Sequence, residues 1–176
     1  MDEDLRYPIG PFEAPAEITP TLRAAYIDTI AATPALARAA VAGLDDRQLD
    51  TRYREGGWTV RQVIHHLADD HLNSYLRSRL ALTEDDCVIR PYEEPRWAEL
   101  PDARTAPPGC SLELLDALHV RWVALFRGMT ESDFARSFVH PRSGRSRTLA
   151  ELLALYDWHG RHHVAQITRL RERMGW

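Results

Sequence analysis

The stretch Thr148-Leu149-Ala150-Glu151-Leu152-Leu153-Ala154-Leu155-Tyr156-Asp157-Trp158-His159-Gly160-Arg161-His162-His163 opens on a helix start signal and carries two histidines one turn apart. Thr148 with Glu151 three residues on is a capping box, each side chain satisfying a backbone N–H of the first turn. Leu152, Leu153, Tyr156, Ile167, Leu170 and Met174 then recur at helical spacing, which predicts a helix of roughly 25 residues, ~37 Å long. At ~100° per residue, His159 and His163 share the stripe of Leu152, Tyr156, Ile167 and Leu170, so they point inward. Buried imidazoles must satisfy both ring nitrogens, and two on one apolar stripe are costly without a shared partner such as a metal ion.

Three more helices lie upstream. Thr19 as N-cap with Pro20 behind it starts a helix through Leu22, Tyr26, Ile30 and Leu36 to Gly43, with Pro34 inside it as a kink point. A second capping box, Thr59-Val60-Arg61-Gln62, follows the turn Gly56-Gly57 and starts a helix carrying Val63, Ile64, Leu67, Tyr75 and Leu82. The third helix is expected from Ser111 as N-cap through Leu112, Leu115, Leu118, Trp122 and Leu125 toward Gly128, with Thr130 capping one short turn beyond. Phe134–Arg147 reads as a small hairpin or ordered loop turning at Ser143-Gly144. Pro8, Pro11 and Pro15 make Met1–Ile18 an extended lead-in, and Pro91, Pro95, Pro101, Pro107 and Pro108 leave no regular element expected between Thr83 and Gly109. A connection this long reads as a functional loop or lid. The fold class is all-α, a four-helix bundle with one long crossover between its second and third helices.

A second histidine doublet, His65-His66, lies in the second helix. Neighbours on a helix diverge by ~100°, so only one of each doublet can face a common site. The apolar stripe favours His163 over His162, and the edge shared with Asp70 favours His66 over His65. His66, His159 and His163 are therefore the candidate ligands of one divalent ion, and three nitrogens with an open fourth position suit a catalytic site. Asp70, one turn after His66, is the candidate for orienting an imidazole or taking a proton. His71, His119 and His140 read as core histidines bonded to backbone carbonyls. Arg61, Arg77 and Arg161 are assigned no role. Trp58, Trp97, Trp122 and Trp158 read as packing, with Trp97 placed to cover a pocket.

Composition sets the outer limits. With 176 residues, 44% of them hydrophobic, one domain over 1–176 with one core is expected. A formal charge of −4 gives no attraction to nucleic acid, and no apolar run approaches the ~20 residues of a bilayer span. Cys87 and Cys110 both fall in the expected connection, and no charged-then-apolar leader opens the chain, so the cytoplasm is the expected compartment.

Seven runs carry a resemblance: Tyr7-Pro8-Ile9-Gly10, Gly57 through Asp69, Asn73-Ser74-Tyr75, Ala81-Leu82-Thr83-Glu84, Trp97-Ala98-Glu99-Leu100, Trp158 through His163, and Gly175-Trp176. In order and spacing the chain resembles the YfiT branch of the DinB-like superfamily. These are small bacterial four-helix-bundle proteins described as metal-dependent hydrolases or thiol S-transferases of the bacillithiol type. The resemblance implies one zinc or nickel ion held by His66, His159 and His163 in a homodimeric cytoplasmic protein, acting on a small-molecule substrate with bacillithiol as thiol cosubstrate. It tips the expected chemistry toward attack of a thiol on an electrophile. Hydrolysis by metal-activated water, and a nonenzymatic metal-binding or interaction module, stay open.

Overall fold

Threonines start the helices where their spacing places them. In the computed structural model, which describes residues 5–142 and 144–176, Thr19 caps α1 (Pro20–Val41). Asp45 caps a single turn, α2 (Asp46–Leu49), and Thr59 caps α3 (Val60–Thr83) through the capping box with Gln62. Two short helices follow, α4 (Glu94–Trp97) and α5 (Pro101–Thr105). Then come α6 (Pro108–Arg127), α7 (Glu131–Ala135) capped by Thr130, and the antiparallel pair β1 (Ser137–His140) and β2 (Arg145–Thr148). The last helix, α8 (Leu149–Met174), opens on the Thr148/Glu151 box and stops at Gly175 in the left-handed conformation, with φ of 71°, which glycine adopts without steric cost.

The four long helices form the bundle: α1 packs on α8 and α6, and α3 packs on α6 and α8. Their apolar faces bury two clusters. One gathers Ile30, Trp122, Phe126, Leu149, Leu152 and Tyr156, the other Val63, Ile64, Leu67, Leu115, Ile167 and Leu170. Along α3 the clusters hand over between Ala68 and Tyr75, and along α8 between Tyr156 and Ile167. Histidines and Asp70 fill both intervals. Gly160 lies in this interval facing α1, where an added Cβ would stand 2.8 Å from Thr33 Oγ1 and 2.9 Å from its Cγ2. A side chain there would push α1 off the helix that bears the histidines. Pro34 sits within α1, where it removes the N–H that would bond the carbonyl four residues back, that of Ile30.

Two expectations need correction, and one element was not expected. The 83–109 connection contains α4 and α5, each with a proline at its first or second position, where the missing N–H is no loss. The helix expected from Ser111 begins at Pro108 instead, because the Ser111 hydroxyl is committed to His65 Nδ1 at 2.7 Å. The single turn α2 had no sequence expectation; Asp46 in it and Asp50 at its C-terminal end hold Arg61 at 3.0 and 2.7 Å. The hairpin forms with Phe138 opposite Arg147, and Val139 also pairs with Val88, tying the connection to it. Of the turn expected at Ser143-Gly144, Ser143 lies outside the described residues, as do the first four residues of the lead-in. The rest of the lead-in forms no helix or strand and lies along α8, where Trp158 Nε1 donates to the Gly10 carbonyl at 3.1 Å.

Candidate metal centre

One ring nitrogen each of His66, His159 and His163 can be chosen so that all lie within 4.8 Å of one another. The rings interleave, with His159 and His163 centroids 4.5 Å apart and His66 4.8 Å from His163. The other members of the doublets have other partners. His65 binds Ser111 and the Ala106 carbonyl, while His162 stacks on Trp158 at 4.4 Å. Burial pushes the pKa values of all three clustered imidazoles below the usual histidine range, so they are neutral and carry the lone pair that a cation needs.

Hydrogen bonding decides which nitrogen carries it. The Ile30 carbonyl, relieved of its helical donor by Pro34, lies 2.7 Å from His119 Nδ1. A carbonyl only accepts, so His119 is protonated at Nδ1 and its Nε2 accepts. His71 Nδ1 lies 2.8 Å from that nitrogen and must donate to it. His71 Nε2 then accepts from His159 Nδ1 at 3.2 Å. For neutral rings every other assignment sets two lone pairs or two protons against each other, so His159 keeps its Nε2 bare. His163 reaches the same state by a shorter route. Its Nδ1 lies 2.8 Å from Gln166 Oε1, and the Gln166 amide is oriented by Nε2 donating to the Arg6 carbonyl at 3.3 Å. Outer partners of this kind fix the tautomer and orientation of metal-binding histidines.

Asp70 is buried, not a surface aspartate. Its Oδ1 accepts from the Tyr92 hydroxyl at 3.0 Å and its Oδ2 from the Tyr156 hydroxyl at 2.8 Å. Oδ2 also stands 3.2 Å from His159 Nε2. A carboxylate oxygen facing a bare imidazole nitrogen is two acceptors in contact, a geometry that calls for a cation or proton beside them. Three convergent imidazoles, two with the outer nitrogen engaged, therefore fit a divalent ion of the kind imidazole suits, zinc and nickel among them. The rings open on a cavity of about 530 Å³ that Trp58, Tyr7, Arg54 and Glu94 help line. Trp58 lies against His66, centroids 4.6 Å apart, whereas Trp97 packs on Tyr92 at 4.6 Å.

Sequence reasoning missed several of these residues. Gln166 is one turn from His163 and was open to the same spacing argument. His119 binds a carbonyl as expected, but His71 binds two imidazoles instead of one. Tyr92 comes from a segment with no periodicity to announce it.

The profile of the DinB superfamily matches residues 29–167. The chain belongs to this superfamily. It is 51% identical over 176 residues to a Bacillus licheniformis protein, covering 100% of this chain and 99% of that one. It is 50% identical over 173 residues to YfiT of Bacillus subtilis, covering 98% and 97%. A Geobacillus thermodenitrificans relative is 51% identical over 174 residues, covering 99% and 98%. All three are named as candidate metal-dependent hydrolases. The solved structure of Bacillus subtilis YfiT superposes with a TM-score of 0.96 at 50% identity, covering 98% of this chain and 99% of that one. That structure is described as a candidate metal-dependent hydrolase with an unusual four-helix bundle topology.

Proposed function

We propose that this chain is a metal-dependent enzyme acting on small molecules, in which His66, His159 and His163 hold one divalent ion, zinc or nickel. Its reaction joins a low-molecular-weight thiol of the bacillithiol type to an electrophile. The observation that carries the metal reading is the proton bookkeeping around the rings: Gln166 and the His71–His119 chain leave the Nε2 lone pairs of His163 and His159 uncommitted. The ion would supply Lewis acidity, lowering the pKa of a thiol or water at its open position. Asp70 Oδ2, beside His159 Nε2, is placed to take the proton that this reactant gives up, while Tyr92 and Tyr156 hold the carboxylate still. Trp58 and Tyr7 wall the cavity.

The family resemblance and a cavity roomy enough for two organic reactants support the thiol. The names of the relatives favour a second reading, hydrolysis of an ester or amide at the same site. Cobalt-substituted protein separates them. A thiol panel including bacillithiol should produce a sulfur-to-metal charge-transfer band, and the band and turnover should both vanish in His163→Ala. Metal-dependent ester hydrolysis with no thiol-induced band would establish the hydrolase. Neither result across both panels would leave a nonenzymatic metal-binding module.

The proposal extends to setting and assembly. One domain over 1–176 is taken to act as a homodimer in the cytoplasm. The unpaired cysteines, Cys87 buried and Cys110 exposed, suit a reducing compartment. Exposed Leu114 and Val120 on α6 offer apolar surface for a second copy. Among the described residues no helix is long and apolar enough to cross a membrane. Sedimentation giving the 20.1 kDa chain mass at micromolar concentration would refute the dimer.

A further inference from the structure

A second cavity, of about 350 Å³, shares Asp70 and Glu94 with the histidine cavity. Its floor is apolar, with Ile89, Phe138, Leu152 and Leu155, and its polar side brings Arg77 of α3 together with Arg145 and Arg147 of β2. The two strand arginines are two residues apart and so share one face. Arg145 pairs with Glu151 at 3.4 Å. Arg77 and Arg147 are different: both are half-buried, and among the described residues neither guanidinium makes a hydrogen bond or ion pair. Arg77 Nε is fully enclosed without a partner. The wall carries two carboxylates, Asp70, which accepts from two tyrosine hydroxyls, and Glu94, and neither bonds the Arg77 or Arg147 guanidinium.

A guanidinium taken out of water without a counter-charge is destabilised. Burial, and then the neighbouring Arg145, lower the proton affinity of Arg147 against the opposing pull of Glu151. An oxyanion would reverse that penalty, because guanidinium forks take carboxylate and phosphate oxygens in paired hydrogen bonds. We propose that this cavity binds the anionic group, a carboxylate or phosphate, of a small organic molecule whose apolar body lies on Phe138 and Leu152. With the anion on Arg77 and Arg147, the rest of the molecule would extend toward Asp70 and Glu94, the residues that this cavity shares with the histidine cavity. Its use as a substrate pocket rests on reading the histidines as a metal centre; anion binding does not.

The test uses metal-free protein, so that the two readings fail separately. Arginine Nε–H resonances are followed by ¹H–¹⁵N NMR while succinate, and separately inorganic phosphate, is titrated at ionic strength fixed with sodium chloride. The Arg77 and Arg147 signals should shift saturably, and the tighter arm names the anion class. Arg77→Gln and Arg147→Gln, checked for native fold by circular dichroism, should each weaken binding about tenfold or more. Arg142→Gln, on the exposed pair with Glu93, should change nothing. The inference is overturned if neither anion shifts the two signals saturably up to concentrations on the order of 50 mM, or if Arg142→Gln weakens binding as much as the cavity variants. Metal content, measured independently, bears only on the histidine site.

Discussion

Two groups of histidines lie side by side in the bundle and do opposite things with the same ring. In His66, His159 and His163 the nitrogens converge beside a cavity. In His71 and His119 both nitrogens are consumed, by each other, by His159 and by the Ile30 carbonyl. Burial differs only in degree, His159 being half-buried, and does not by itself separate them. What separates them is where each ring's second nitrogen ends: a carbonyl at one end of the chain sets the polarity, and the last ring is left with a lone pair facing the cavity. A buried histidine is thus read by tracing its protons to the nearest group that can only accept.

The largest test removes a ring from the first group. His66→Ala, His159→Ala or His163→Ala should each weaken metal binding by more than about 100-fold, beyond the loss typical of an outer partner. His65→Ala should not, because that ring serves Ser111 and the Ala106 carbonyl. Elemental analysis showing full occupancy in His159→Ala would break the comparison outright.

Acid probes the second group. Burial pushes His119 down to about 4 from the ordinary 6.5. The unfolded chain therefore binds the extra proton first, and the stability this residue contributes is present above pH 6.5 and lost as pH falls from there to about 4. A shift of this size corresponds to about 3 kcal/mol. Urea unfolding of metal-free protein across that window should show the loss, and His119→Phe should remove its share of it, the other buried histidines keeping theirs.

Interrupting the chain while keeping every ligand gives a smaller effect. His71→Phe or His119→Phe should cost about 10- to 100-fold in metal affinity. In wild-type metal-free protein near neutral pH, ¹⁵N shifts should show His159 protonated at Nδ1; a ring protonated only at Nε2 would reverse the polarity that the Ile30 carbonyl sets. Smallest is Gly160→Ala, which gains helix propensity but meets Thr33. A net loss of about 1–2 kcal/mol by thermal unfolding is expected, overpacking outweighing propensity.

The legible parts of the fold were those written in local chemistry. Thr59, Thr130 and Thr148 cap within three residues of themselves, so a short window suffices. Ser111 has the same chemistry, yet its hydroxyl goes to His65, 46 positions away, and no window reaches that far. The site divides the same way. Four-residue spacing gave His159 and His163, and the edge shared with Asp70 selected His66 from its doublet. The meeting of His71, on α3, with His119, on α6, depends on how two helices are packed, and Tyr92 on how the connection is tied to the hairpin. Arg77, set aside on the sequence as one arginine among many, stands out only once its Nε is seen enclosed.

Pro34 shows a trade between stability and function in one residue. A proline inside a helix costs about 3 kcal/mol against alanine, and anyone engineering a hardier protein would replace it first. The new N–H at position 34 would reclaim the Ile30 carbonyl for the helix, competing with His119 for the acceptor that directs the proton in each ring as far as His159. Thermostabilised variants selected on melting temperature alone should therefore drift toward mixed tautomers at a ring whose own residue never changed.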